Sequence, residues 1–85
     1  MKHATQTALE GLMDLLDQIR TRRGLQERKL GIFYKKSKPF LHFHEDPTGM
    51  YADLSVRGSF GRYQVNTRKQ WAVLLAAVDS SLESD

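Results

Sequence analysis

The sequence predicts an α+β domain in which the elements follow the order α-β-β-β-β-α and both terminal helices pack on one face of an antiparallel meander sheet. Apolar residues recur at helical spacing near both ends of the chain, which indicates two amphipathic helices. The stretch between them alternates apolar and polar residues and is interrupted by turn signals, as in short antiparallel strands. The 85 residues suit one domain with one small core.

Capping signals and apolar stripes define the two helices. Thr7 followed by Glu10 predicts a capping box at the start of the first helix. Thr67 followed by Gln70 predicts a second one at the start of the last helix. Gly24 is expected to end the first helix, because glycine readily adopts a left-handed conformation. The stripes are Leu9, Leu12, Met13, Leu15, Leu16 and Ile19 in the first helix, and Trp71, Leu74, Leu75, Val78 and Leu82 in the last.

Four strand-like runs lie between the helices, at residues 30–34, 40–44, 50–56 and 62–66. Asp46-Pro47-Thr48-Gly49 predicts a tight turn between the second and third runs, and residues 58–61 predict another. A tight hairpin places His42 opposite Asp53 and His44 opposite Tyr51. The two-residue period predicts an inward set of Leu41, Phe43, Ala52, Leu54 and Val56, and an outward set of Phe40, His42, His44, Tyr51, Asp53 and Ser55.

Composition limits the class of protein. The chain has no cysteine, which excludes disulfides and thiolate metal sites and fits a reducing compartment. Glu10, Asp14 and Asp17 interrupt the apolar residues near the N-terminus, so neither a signal peptide nor a membrane span is expected. We therefore expect one cytoplasmic domain over residues 1–85, with frayed ends at 1–5 and 81–85.

Basic residues concentrate between positions 20 and 40 and between positions 57 and 69, although the net charge is only +3. The leading hypothesis is a small non-catalytic binding module whose basic patch contacts an anionic partner, either a nucleic acid or an acidic protein surface. Arg68 and Lys69 open the last helix, where cations oppose the helix dipole, so their position favours anion binding. The predicted contact residues are Arg57, Arg62, Arg68, Lys69, Lys35, Lys36 and Lys38.

A histidine pair supports an alternative hypothesis. His42 and His44 are predicted to share one face of a strand, with Asp53 opposite. Imidazole and carboxylate groups are ligands of zinc and of other first-row divalent metals. The alternative is therefore a metal-binding or hydrolytic domain that uses these three residues, whereas the leading hypothesis needs no cofactor. His3 is the remaining histidine, and it lies in the end that is expected to fray.

A further alternative is self-association as a homodimer through the sheet. A domain this small buries only part of its apolar surface, and pairing with a second copy is a common way to bury more.

The element order, closed by a helix that begins Arg68-Lys69-Gln70-Trp71, resembles that of double-stranded-RNA-binding domains. The resemblance implies RNA as the anionic partner, with Arg68 and Lys69 near its phosphates.

Overall fold

The architecture is a six-stranded antiparallel sheet with helices before and after it, which confirms the predicted α+β class. The computed structural model describes residues 2–83. Strands β2 to β6 follow one another across the sheet as a meander, and β1 pairs with β4. The elements are β1 (Lys2–His3), α1 (Gln6–Glu10), α2 (Met13–Arg20), β2 (Leu25–Lys29), β3 (Ile32–Lys35), β4 (Lys38–Asp46), β5 (Gly49–Val56), β6 (Ser59–Gln64) and α3 (Arg68–Glu83).

The core lies between one face of the sheet and the apolar stripes of the helices. In β4 and β5, Leu41, Phe43, Ala52 and Leu54 are buried as predicted. The buried helical residues are Leu9, Leu12, Leu15, Leu16 and Ile19 on the N-terminal side, and Trp71, Leu74, Leu75 and Val78 in α3. Met13 and Val56, which were predicted to face the core, are exposed, so these two assignments were wrong. Val56 is the last residue of β5, and the turn that follows it is exposed as well.

The first predicted helix begins earlier than expected and is divided into α1 and α2. Its N-cap is Thr5, whose Oγ1 accepts a hydrogen bond from the Ala8 amide at 3.2 Å, so the capping box predicted at Thr7 is wrong. The Thr5 amide donates to Glu45 Oε1 at 2.7 Å. This hydrogen bond to β4 helps to fix where the helix starts. The helix ends at Arg20 with Thr21 as its C-cap, so Gly24 does not end it as predicted, although Gly24 does adopt the left-handed conformation, with a φ of +89°.

The sheet has one meander strand more than the four predicted, because Leu25–Lys29 forms β2 along β3. Phe40 is another correction, since it is only 4% exposed although the alternation placed it outward. Leu41 pairs with Phe33 and Pro39 with Tyr34, which leaves Phe40 as the extra residue of a β-bulge. A bulge interrupts the two-residue alternation.

Other boundaries also differ from the predicted ones. The second predicted turn is short, because β6 already begins at Ser59. Within the ends predicted to fray, Lys2 and His3 form β1 and Ser81–Glu83 completes α3. Met1, Ser84 and Asp85 lie outside the described residues.

The start of α3 confirms the second capping box. The Gln70 amide donates to Thr67 Oγ1 and the Thr67 amide donates to Gln70 Oε1, both at 3.2 Å. Trp71 is anchored by its Nε1, which donates to the Val65 carbonyl at 2.8 Å. Within residues 2–83, no helix combines the length and the apolar character needed to cross a bilayer.

Replacing Thr67 with alanine is expected to lower the free energy of unfolding by about 0.5–2 kcal/mol, because the α3 cap is lost. The matched control is Thr7→Ala, an exposed position beyond the cap, where the change should stay within about 0.5 kcal/mol. Denaturant unfolding of both variants measures the difference. Equal losses would contradict the two cap assignments.

Candidate functional site

The histidines of β4 lie on the face of the sheet opposite the core, called the outer face below. Phe43 between them is 2% exposed and belongs to the core, so the alternation of the strand turns His42 and His44 the other way. His42 pairs with Asp53 and His44 with Tyr51. This is the register predicted from the sequence.

Strand β1 brings His3 to the same place. His3 pairs directly with His44 across the β1–β4 ladder. The ring centroid of His3 lies 5.0 Å from that of His44 and 5.8 Å from that of His42, and the His42 and His44 centroids are 4.8 Å apart. The chain has 3 histidines, and all of them belong to this group, called the histidine cluster below.

A polar network surrounds the histidine cluster. His42 Nδ1 lies 2.8 Å from His44 Nε2, and His44 Nε2 lies 3.1 Å from Asp53 Oδ2. Arg62 donates from Nε to Asp53 Oδ1 at 2.9 Å and from Nη2 to Asp53 Oδ2 at 3.1 Å. These hydrogen bonds from Arg62 lower the pKa of Asp53 below its ordinary value in spite of burial. Asp53 is therefore a fixed carboxylate beside the cluster at neutral pH.

His42 is held in its neutral form. Burial lowers the pKa of His42 from its ordinary value, and the neighbouring His44 lowers it further. The Phe60 ring packs edge-on against His42 with centroids 5.0 Å apart, which adds apolar surroundings. A neutral imidazole keeps one nitrogen lone pair available for a ligand or a hydrogen bond.

The seven residues predicted to bind an anion are divided among different places. Arg62 is engaged by Asp53. Arg68 forms an exposed ion pair with Asp14, with Nη2 3.4 Å from Oδ2. Its guanidinium carbon also lies over the Trp71 ring, 5.0 Å from the ring centroid. Lys69 is exposed in the first turn of α3. The other four, Lys35, Lys36, Lys38 and Arg57, line one concavity.

The chain matches no protein-family model, no curated protein and no solved structure. The resemblance to double-stranded-RNA-binding domains thus remains one of element order. A function has to be inferred from the chemistry of the residues themselves.

Replacing Arg62 with glutamine is expected to lower the free energy of unfolding at neutral pH and to change it little near pH 2. Because the pKa of Asp53 is depressed in the folded protein, its stabilising contribution is complete above about pH 4 and is lost as the pH falls through the folded-state value. Without Arg62, burial raises that pKa again, and the contribution at neutral pH disappears.

The free energy of unfolding, measured with denaturant at several pH values between about pH 2 and pH 7, tests this dependence on the protonation of Asp53. The control is Arg68→Gln, which removes the same charge from the exposed pair with Asp14 and should keep the wild-type pH profile. Parallel pH profiles for Arg62→Gln and the wild type would show that Asp53 does not depend on Arg62.

Proposed function

We propose that this domain binds a first-row divalent transition metal, such as zinc, through His3, His42 and His44. One observation carries the proposal: one ring nitrogen from each histidine lies within 4.8 Å of the others. Neutral imidazoles are common ligands of zinc and its neighbours in the first transition row. The chain has no thiolate to offer instead.

The spacing of the nitrogens suits a tetrahedral ion. Zinc binds imidazole nitrogen at about 2.0–2.1 Å, which sets nitrogens about 3.3 Å apart around it. His42 Nδ1 and His44 Nε2 are 2.8 Å apart, so those two rings have to separate slightly. His3 is exposed, and rotation of its side chain adjusts the remaining distances.

Asp53 lies beside the proposed ligand atom of His44, since its Oδ2 is 3.1 Å from Nε2, the nitrogen that also faces His42. Sequence reasoning proposed Asp53 as a ligand, but each of its carboxylate oxygens accepts a hydrogen bond from Arg62. The carboxylate contacts the same nitrogen that would bind the ion, so it does not hold the ring from its far side. It instead places a negative charge beside the cation, which favours binding. We assign this electrostatic role to Asp53.

Metal binding requires a change of tautomer in this arrangement. At 2.8 Å, His42 Nδ1 and His44 Nε2 share one hydrogen, whereas a bound ion requires the lone pair of each ligating nitrogen. Three imidazoles also leave a fourth tetrahedral position, which a water molecule fills in comparable sites. Protons compete with the ion for these nitrogens, so binding should weaken as the pH falls.

The test is calorimetric titration of protein without an affinity tag with zinc, supported by the visible spectrum of the cobalt(II) complex. We expect one zinc per chain and at least a tenfold loss of affinity in His3→Ala and in His42→Ala, since changing even a residue that only hydrogen-bonds to a ligand typically costs about 10–100-fold. Asp53→Asn should also weaken zinc binding, because it removes the negative charge beside the ion.

Tyr51→Phe is the matched control, because Tyr51 pairs with His44 and its ring supplies no metal ligand in this proposal. Its zinc affinity should equal that of the wild type. Unchanged affinity in His3→Ala would reduce the site to the weak pair on β4, and binding that survives both histidine variants would contradict the proposal.

A further inference from the structure

Four cationic side chains meet at the end of the sheet where two hairpins turn. Residues 36–37 connect β3 to β4, and residues 57–58 connect β5 to β6. Because the strands alternate in direction, both turns lie at the same end. A concavity of about 450 Å³ lies between them, and its lining includes Lys35, Lys36, Lys38, Pro39, Ser55 and Arg57.

The charge of this concavity is of one sign. Its lining includes 3 lysines, 1 arginine and no carboxylate. Among residues 2–83, the ion pairs do not include Lys36, Lys38 or Arg57. By contrast, Arg20, Arg22 and Arg62 each meet an acid. Lys36, Lys38 and Arg57 therefore create a positive potential that an anion neutralises.

The backbone of the two turns points to the same conclusion. Lys36, Ser37 and Arg57 have φ values of +51°, +68° and +53°. Two-residue hairpin turns require this left-handed geometry, and asparagine and glycine adopt it with the least strain. The chain places lysine and arginine there instead, at a conformational disadvantage. Non-glycine residues held in this region are a recognised sign of a functional constraint.

We propose that this concavity binds the phosphate group of a small phosphorylated organic molecule. Lysine ammonium groups and the guanidinium fork of Arg57 donate to phosphate oxygens, and the Ser55 hydroxyl lies among them as a neutral donor. The volume matches that of small-ligand sites, and Pro39 offers apolar surface to the organic part. Arg62, Arg68 and Lys69 lie outside the concavity, which favours a compact ligand over an extended nucleic-acid backbone.

This site is independent of the histidine cluster and does not rest on metal binding. The test therefore uses metal-free protein, with chelator present. Amide chemical shifts are followed by NMR during titration with inorganic phosphate, phenyl phosphate and phenol. We expect saturable shifts for the two phosphates, concentrated at residues 35–40 and 55–58, and none of comparable size for phenol.

The decisive variant is Lys36→Asn with Arg57→Asn. Asparagine tolerates the left-handed backbone better than lysine or arginine, so the variant should fold and unfold at an equal or higher temperature. We expect it to lose at least tenfold in phenyl phosphate affinity. The matched control, Arg68→Gln with Lys69→Gln, removes the same charge elsewhere and should bind as the wild type does.

Equal weakening in both double variants would overturn the proposal, since it would show only an effect of net charge. Unchanged affinity in the asparagine variant would overturn it as well. A third result would also overturn the proposal: a single-stranded oligonucleotide binds more tightly than phenyl phosphate, and its binding requires Arg68 and Lys69. The partner would then be a nucleic acid.

Discussion

The position of β4 in the sheet is the constraint on which the rest of the structure depends. This strand pairs with β3 and β1 on one edge and with β5 on the other. Its alternation sends Leu41 and Phe43 into the core and His42 and His44 to the outer face. A slip of one residue would exchange the two sets. Burial of an aromatic side chain such as Phe43 is worth roughly 3–5 kcal/mol against alanine, and this packing energy holds the histidines in position.

Much of the fold was predictable, because its signals are local. Alternation in residues 40–44 and 50–56 and the Asp46–Gly49 turn fixed the β4–β5 register, and Thr67 with Gln70 marked the start of α3. The failures arose where tertiary contacts decided the outcome. Glu45 binds the Thr5 amide, so the helix starts before the capping box that residues 7–10 suggest. The bulge that buries Phe40 likewise depends on its pairing with β3.

The candidate site was predictable only in part, for the same reason. His42, His44 and Asp53 follow from one hairpin, whereas His3 reaches them through a strand of 2 residues, too short to show a period. The pairing of Asp53 with Arg62 needs the β5–β6 register, and it removes one cation from the anticipated basic patch. Lys36 and Arg57 come together only because two separate turns fall at one end of the meander.

The proposed function depends on a three-histidine metal site between β1 and β4. Crystals grown with zinc and measured on both sides of the zinc absorption edge would reveal such a site, because the anomalous difference map shows the ion itself. One peak is expected about 2.0–2.1 Å from a ring nitrogen of each of His3, His42 and His44, with Asp53 still bonded to Arg62. A peak held only by carboxylates, or a histidine cluster without a peak while zinc is in excess, would contradict it.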